Sequence, residues 1–221
     1  MKRLMIALTL FGTALGANAA LYLRAEKDTE TVTGMSEVSL AGRKLTVPRA
    51  IIRDRTQMAG GRLDRLDLAV NILDFSPIPQ PSTRDPNRPM PDRLTMILTP
   101  SGNAPDSTAL FQTIYARFLS GETTQSQAGL VMRRFRAGTP YEDRELFIGA
   151  GGRQPFIALC PRDPQLREME PCTTLLRREG LDAELRLNAR HLGEWRRIIT
   201  AASELVAELA GRKPETAAAT P

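Results

Sequence analysis

The sequence predicts an α+β fold, with an antiparallel sheet of about seven strands and two packed helices, preceded by an N-terminal membrane helix or signal peptide. Three observations lead to this prediction. Several short segments alternate apolar and polar residues, as half-buried strands do. Two longer segments repeat apolar residues at spacings of three and four, as amphipathic helices do. Residues 4–23 carry no charge, and the chain that follows is long enough for one domain with a core.

The leader, residues 1–27, permits two interpretations. Lys2-Arg3 precedes the uncharged stretch, and Ala17-Asn18-Ala19 offers the small-x-small site of a cleaved signal peptide. The stretch also reaches the roughly 20 apolar residues that span a bilayer, and its apolar character continues through Leu21-Tyr22-Leu23. This continuation favours an uncleaved anchor, with residues 4–23 in the lipid bilayer. Both interpretations export the rest of the chain.

Beyond the leader, the chain divides into a tether, a domain and a tail. Residues 28–36 are polar and Thr-rich and predict the tether, residues 37–211 form the exported α+β domain, and residues 212–221 are expected to be a disordered tail. Within the domain, residues 75–93 hold six prolines, which remove amide donors and exclude both a helix and a central strand. Long loops of this kind are often functional.

The first half of the domain predicts strands. Residues 38–40 and 44–47 flank a glycine turn and predict a hairpin. Residues 50–55 fit either a short helical turn or an edge strand. Residues 62–72 alternate and predict a half-buried strand, and residues 93–99 resume the sheet beyond the proline-rich loop.

The second half contains both predicted helices. Asp106 or Ser107 can cap the first, which runs to about Leu119 and is followed by a polar loop rich in Thr and Gln. Asn188 can cap the last helix, residues 189–210. Five more strands are predicted between the helices, at residues 129–132, 145–148, 156–160, 173–177 and 181–187.

Cys160 and Cys172 are the only two cysteines, and a short polar segment separates them. In an oxidising compartment such a pair predicts a disulfide. A zinc site is disfavoured because zinc takes four ligands and the only histidine, His191, lies far along the chain. The glycine-rich residues 149–152 lack the Lys-Ser/Thr of a phosphate-binding loop and predict a hairpin turn.

No motif predicts a catalytic or metal site, and no cofactor is expected. A Ser-His-Asp hydrolase would need His191, but no G-x-S-x-G motif occurs, so His191 is interpreted as a partly exposed helix residue. The spacing of a calcium loop is also missing. Five acidic residues are interpreted as solvated strand and turn positions, namely Asp64, Asp67, Glu142, Asp143 and Glu145.

The charge pattern excludes nucleic acid as a partner. Apart from Lys2 and Arg3, 28 basic residues stand against 25 acidic ones, and no Lys/Arg block suited to a phosphate backbone occurs. Arg134 and Arg136 share one side of a predicted strand and would suit an acidic lipid or polymer. A solvated face paired with nearby acids is the simpler interpretation of these two arginines.

The segments SLAGRKLTVPRAIIR, GRLDRLDLAV, GLVMRRF, ELFIG and PFIALC lie between an N-terminal anchor and a Trp-bearing last helix. This order resembles small membrane-anchored periplasmic proteins of alphaproteobacteria. The resemblance implies a single-pass protein of the bacterial inner membrane with its C-terminal domain in the periplasm, or a periplasmic protein if the leader is cleaved. It supplies no catalytic residue.

Two functional hypotheses follow. The first is an accessory or scaffold protein, not an enzyme, that binds a membrane protein complex or envelope component through the sheet or the proline-rich loop. Its candidate contact residues are Phe75, Pro77, Pro79, Pro81, Arg134 and Arg136. The alternative is an envelope enzyme that acts on polysaccharide or peptidoglycan through carboxylates. Two converging acids, one with a raised pKa, would favour the enzyme, whereas a flat apolar patch would favour the binding protein.

Overall fold

An antiparallel sheet of eight strands and a second sheet of three strands form this structure, a computed structural model. The described residues are 32–78, 92–150 and 155–212. All elements belong to one contact unit, residues 33–78 and 87–221. The predicted α+β class is confirmed, although the strands are more numerous than expected.

The strands described are β1 (Met35–Leu40), β2 (Arg43–Pro48), β3 (Gly61–Leu63), β4 (Leu66–Asn71), β5 (Arg93–Pro100), β6 (Leu119–Gln125), β7 (Leu130–Phe135), β8 (Arg144–Gly149), β9 (Phe156–Pro161), β10 (Cys172–Arg178) and β11 (Leu181–Leu187). The α-helices are α1 (Ser107–Leu110), α2 (Ala116–Phe118), α3 (Leu166–Met169) and α4 (Trp195–Leu209). A π-helical segment, Phe111–Tyr115, joins α1 to α2, and these three pieces form what we call the 107–118 helix. Short 3-10 turns occupy Arg49–Ile51, Arg55–Ala59, Gln127–Gly129 and Ala189–Glu194.

The main sheet has the order β4-β5-β11-β10-β9-β8-β7-β6, and every neighbouring pair is antiparallel. Its edge strand β6 lies where the sequence predicted a polar loop. That prediction was wrong because the side chains from Gly121 to Gln125 are all exposed, so β6 has no apolar alternation to reveal it. The glycine-rich residues 149–152 connect β8 to β9, which are antiparallel neighbours.

The small sheet contains the predicted hairpin of β1 and β2, with β3 added in parallel to β1. A Cβ on Gly60 would lie 2.4 Å from the carbonyl oxygen of Glu37, so the chain needs glycine to enter β3. Residues 50–55 combine both expected forms, because a 3-10 turn is followed by a β-bridge from Ile52 to Leu68. Four side chains of the hairpin are buried in the same apolar cluster as α4: Val38, Leu40, Leu45 and Val47.

Helix α4 covers one face of the main sheet, which we call the closed face. Ile198 and Val206 of the helix share a buried cluster with Leu98 and Leu185 of the sheet. Farther along the sheet, Trp195 stacks on Phe156 with ring centroids 5.0 Å apart. These two apolar clusters hold α4 against the sheet.

The predicted disulfide joins Cys160 of β9 to Cys172 of β10, with their Cα atoms 4.2 Å apart. Both cysteines are buried in the cluster that contains Trp195. The bond therefore fixes both ends of the segment that carries α3 at the closed face.

The predicted strand 62–72 divides into β3 and β4, and β4 is buried on both faces instead of one. Asp67 explains the difference. Its carboxylate accepts hydrogen bonds from Gln57 Nε2 at 3.1 Å and from Arg65 Nη2 at 2.7 Å. Its backbone N–H donates to Gln57 Oε1 at 2.8 Å. The turn that carries Gln57 thus covers the outer side of β4, and the interpretation of Asp67 as a solvated residue was wrong.

Some predictions fall outside the described residues, namely the anchor at 4–23, most of the tether at 28–36, Pro79, Pro81 and the tail beyond residue 212. Within the part of the chain that the structure describes, no helix is long and apolar enough to cross a membrane. Strand β1 begins at Met35, two residues before the expected start of the domain.

Candidate functional site

We call the face of the main sheet that points away from α4 the open face. Along each strand, its side chains alternate with those of the closed face. On β5, Met96 and Leu98 point to α4 and are 0% exposed, whereas their neighbours Thr95, Ile97 and Thr99 are partly exposed. Directly paired residues of antiparallel strands share a face. The pairing therefore assembles the open face from β4, β5 and β11 with Asp67, Ala69, Asn71, Arg93, Thr95, Ile97, Thr99, Asp182, Glu184 and Arg186.

The 107–118 helix packs against the part of this sheet face that β9 and β10 form. The Asp106 side chain caps the helix by accepting a hydrogen bond from the backbone N–H of Ala109 at 2.9 Å. Ser107 Oγ donates to the carbonyl oxygen of Leu175 at 2.6 Å, which fixes the start of the helix on β10. The 107–118 helix thus covers the face of β9 and β10, and the open face is limited to β4, β5 and β11.

A cleft of about 240 Å³ lies where the 107–118 helix meets the open face. Burial raises the pKa of Tyr115 at the cleft, and the neighbouring Tyr141 adds to the effect, so the hydroxyl remains a hydrogen-bond donor. Ligand pockets usually measure roughly 300 to 1,000 Å³, so this cleft suits one side chain of a partner better than a cofactor. Its lining is mostly apolar and includes Leu110, Tyr115, Ile157, Leu159, Leu175 and Glu184.

Ion pairs hold most of the charges on the open face. Arg177 and Asp182 form a two-bond pair at 2.6 and 2.9 Å, and this hydrogen bonding raises the pKa of Arg177. Arg186 Nε donates to Glu184 Oε1 at 2.7 Å. Arg93 differs, because its Nε is buried and has no hydrogen-bond partner. Burial lowers the pKa of Arg93.

The structure separates the predicted contact residues into two groups. Phe75 and Pro77 lie beside β4, where Phe75 N–H donates to Asn71 and Pro77 forms a bridge with Val70. Arg134 and Arg136 lie on and just after β7, near the opposite end of the main sheet. Six strand spacings, roughly 29 Å, separate β4 from β7. The two groups therefore do not form one site.

Arg134 pairs with a buried acid. Its Nε donates to Glu145 Oε1 at 3.1 Å, and Arg167 forms a second ion pair with the same carboxylate. Glu145 is buried, so its interpretation as a solvated residue was wrong. Two arginines offset the cost of burying this charge, and one of them comes from α3 beyond the next strand.

His191 is also more buried than the sequence indicated, with its side chain only 8% exposed. It lies in the 3-10 turn before α4, and its Nε2 is 2.8 Å from Asp92 Oδ1, while its Nδ1 is 3.7 Å from Glu194 Oε1. No described serine, threonine or cysteine hydrogen-bonds the ring. The cluster therefore lacks the nucleophile of a hydrolase among the described residues.

Four described carboxylates have a pKa shifted in the direction opposite to the one that would favour an enzyme. Hydrogen bonds from neighbouring side chains lower the pKa of Asp54, Asp74, Asp92 and Glu194. A general acid at neutral pH needs a raised value instead. Within the described ranges, no group of three or more His, Cys, Asp or Glu residues could hold a metal ion.

The open face was not recognised from the sequence. The strands at 93–99 and 181–187 were predicted, but their polar positions were not expected to form one surface. The signal was the alternation itself, with Thr95, Ile97 and Thr99 on one strand and Glu184 and Arg186 on the other. These positions become one surface only when β5 is known to pair with β11.

Comparison with known proteins supports the fold. No family model and no curated protein matches the chain. FrpD, the iron-regulated outer membrane lipoprotein of Neisseria meningitidis, aligns over 84% of this chain and 95% of that chain, with a TM-score of 0.49 and 10% identity. Smlt3025, an immunity protein of the Stenotrophomonas maltophilia type IV secretion system, aligns over 80% of this chain and 93% of that chain, with a TM-score of 0.58 and 14% identity. The chain therefore shares its fold with Smlt3025.

Proposed function

We propose that this protein is an accessory protein of the bacterial envelope that binds a protein partner through the open face. The observation that carries the proposal is the contrast on β5, where alternate side chains are either fully buried or partly exposed. The partly exposed Ile97 and the adjoining cleft with Tyr115 offer an apolar centre, and the threonines and ion pairs around them form a polar rim, which is the arrangement of a protein-binding surface.

Three further features support the envelope location. The disulfide between Cys160 and Cys172 is stable in an oxidising compartment. The charge-free residues 4–23 would anchor the protein in the inner membrane, with the domain in the periplasm. The fold is similar to that of an immunity protein of a secretion system. The partner is then a membrane protein complex or another protein of the envelope.

Photo-crosslinking in living cells tests this proposal. A benzoylphenylalanine placed at Ile97 lies on the open face, whereas the same residue at Glu204, an exposed position of α4, serves as the control. We expect one discrete protein adduct from position 97 and none from position 204. In the wild-type background the same protein should co-purify, and Ile97→Asp should abolish this while the variant remains folded. Equal adducts at both positions, or none at 97, would contradict the proposal.

A further inference from the structure

The cleft beside the 107–118 helix continues the surface that carries the proposed function. Ile97 of β5 is directly paired with Glu184 of β11, and Glu184 is directly paired with Leu175 of β10. Glu184 and Leu175 both line the cleft. Two strand spacings, about 10 Å, separate Ile97 from Leu175. A partner segment that lies across the open face can therefore extend a side chain into the cleft.

The walls of the cleft are already ordered in the free protein. The hydrogen bond from Ser107 to the backbone of β10 fixes the start of the 107–118 helix on the sheet. The Tyr115 ring makes edge-to-face contacts with the rings of Phe135 and Tyr141, at centroid distances of 6.0 and 5.3 Å. A pocket that exists before binding spares the cost of ordering its walls.

The helix has an unusual geometry where it borders the cleft. Phe111–Tyr115 is π-helical, and α-helical turns precede and follow it. Segments of π-helix inside α-helices are rare and occur frequently at functional sites. This segment ends with Tyr115, which lines the cleft. The helix geometry is therefore a second observation, independent of the volume of the cleft, that supports a binding role.

The lining of the cleft suits an uncharged, mostly apolar group. Among the described residues that line it, only Glu184 carries a charge, and Arg186 Nε already donates to Glu184 Oε1 at 2.7 Å. A charged group that entered would lose hydration without meeting an unpaired opposite charge. The lining also includes four aliphatic residues, namely Leu110, Ile157, Leu159 and Leu175.

The cleft is open to solvent and large enough for an aromatic ring. Leu110, Tyr115 and Leu159 are each partly exposed. The cleft measures about 240 Å³, whereas an apolar cavity of about 150 Å³ already accommodates benzene. A ring that enters would lie beside Tyr115. Because aromatic rings favour edge-to-face or offset contact with one another, an aromatic group is preferred here over an aliphatic one of similar size.

We propose that the cleft binds an aromatic side chain of the protein partner. This proposal rests on the proposed function and adds the chemistry of the central contact to it. The partner segment lies across the open face, and its aromatic ring is inserted between the 107–118 helix and the strands β9 and β10. Tryptophan and tyrosine are enriched among the residues that dominate the binding energy of protein interfaces, where they fill pockets of this kind.

An NMR titration of the ¹⁵N-labelled full-length protein in detergent tests the proposal. The probe is p-cresol, which reproduces the tyrosine side chain, and 4-methylcyclohexanol is the control with the same heavy-atom framework but no aromatic ring. We expect p-cresol to shift the amide signals of Leu110, Leu159 and Leu175. At equal free concentration, it should bind about two- to tenfold more tightly than the control.

Two tryptophan variants locate the binding of p-cresol. Leu110→Trp fills the cleft with a large ring and should weaken this binding about tenfold or more. Gln112→Trp makes the same change at an exposed position of the same helix and should alter the binding less than about twofold. Leu159→Phe fills the cleft from β9 and tests the site if Leu110→Trp fails to fold. Equal losses at positions 110 and 112, or equal binding of the two probes, would overturn the proposal.

The crosslinking experiment separates this proposal from the proposed function. If the adduct at position 97 forms equally well in the wild type and in a folded Leu110→Trp variant, the aromatic-contact proposal fails and the protein-binding function stands. Loss of the adduct in Leu110→Trp but not in Gln112→Trp supports both. Mapping of the adduct should then show an aromatic residue within about three or four residues of the crosslinked position of the partner. If no adduct forms in the wild type, both fail.

Discussion

The two faces of the main sheet are formed by the same strands but differ in the composition and exposure of their side chains. On the closed face, leucine, methionine and alanine side chains pack against α4 with no exposed surface. On the open face, the threonines of β5 and the Glu184–Arg186 pair of β11 are partly exposed, and the 107–118 helix covers only the neighbouring part of the sheet. Adjacent residues of one strand therefore belong to two different surfaces. The closed face stabilises the fold, whereas the open face leaves polar side chains of β5 and β11 partly exposed.

The largest expected effect comes from shortening one side chain on each face. Leu98→Ala should lower the free energy of unfolding by about 2 to 5 kcal/mol, because Leu98 is fully buried and its truncation leaves a cavity. Ile97→Ala, at the adjacent and partly exposed position, should cost less than about half as much. Chemical denaturation of both variants measures the difference. Equal losses would show that the open face is as much a part of the core as the closed face.

The disulfide should contribute nearly as much to the free energy of unfolding as the buried side chain of Leu98. Replacing both Cys160 and Cys172 by alanine removes a link that spans a sequence separation of 12 residues. The chain-entropy model gives about 3 kcal/mol for a loop of this size. Denaturation of the double variant against the oxidised wild type measures it. An unchanged free energy of unfolding in the double variant would show that the disulfide does not stabilise the closed face.

The sequence predicted those parts of the fold that depend on local patterns. The β1–β2 hairpin follows from a glycine turn between alternating segments, and the disulfide follows from two cysteines in a chain with a leader. Strand β6 was missed because it is an edge strand whose side chains beyond Ser120 are all exposed. Its strand conformation depends on hydrogen bonds to β7, which a local pattern does not record.

The charged residues show the same limit. Glu145 is buried because Arg167, 22 positions away, reaches it, and His191 is buried against Asp92, 99 positions away. Composition alone favours solvent for all of these residues. Their burial depends on partners that only the folded chain brings together. For the same reason the open face could not be predicted until β5 was placed beside β11.

A smaller effect should come from the glycine that receives Trp195. A Cβ on Gly149 would lie 2.7 Å from the Trp195 ring and 2.9 Å from Leu130, so Gly149→Ala should force the closed face apart and cost about 1 to 3 kcal/mol. Gly121→Ala on β6 is the matched control, because nothing lies within 4 Å of its Cβ position. Thermal unfolding should show a lower midpoint for the first variant only. A neutral Gly149→Ala would mean that the stacked rings move freely.

The smallest expected effect concerns the polar border of the closed face, where Asp92 meets the turn before α4. Hydrogen bonding from Arg190, and then from His191, holds the pKa of Asp92 below its usual value. A carboxylate with a lowered native pKa stabilises the fold above about pH 3.9, and this contribution is lost as the pH falls through the native value. Asp92→Asn should therefore lower the unfolding temperature slightly at pH 6, and the difference should vanish near pH 2. Asp64→Asn, at an exposed position, is the control and should change the unfolding temperature less than Asp92→Asn does at pH 6. If the difference persists in acid, the carboxylate charge is not what joins the start of β5 to the last helix.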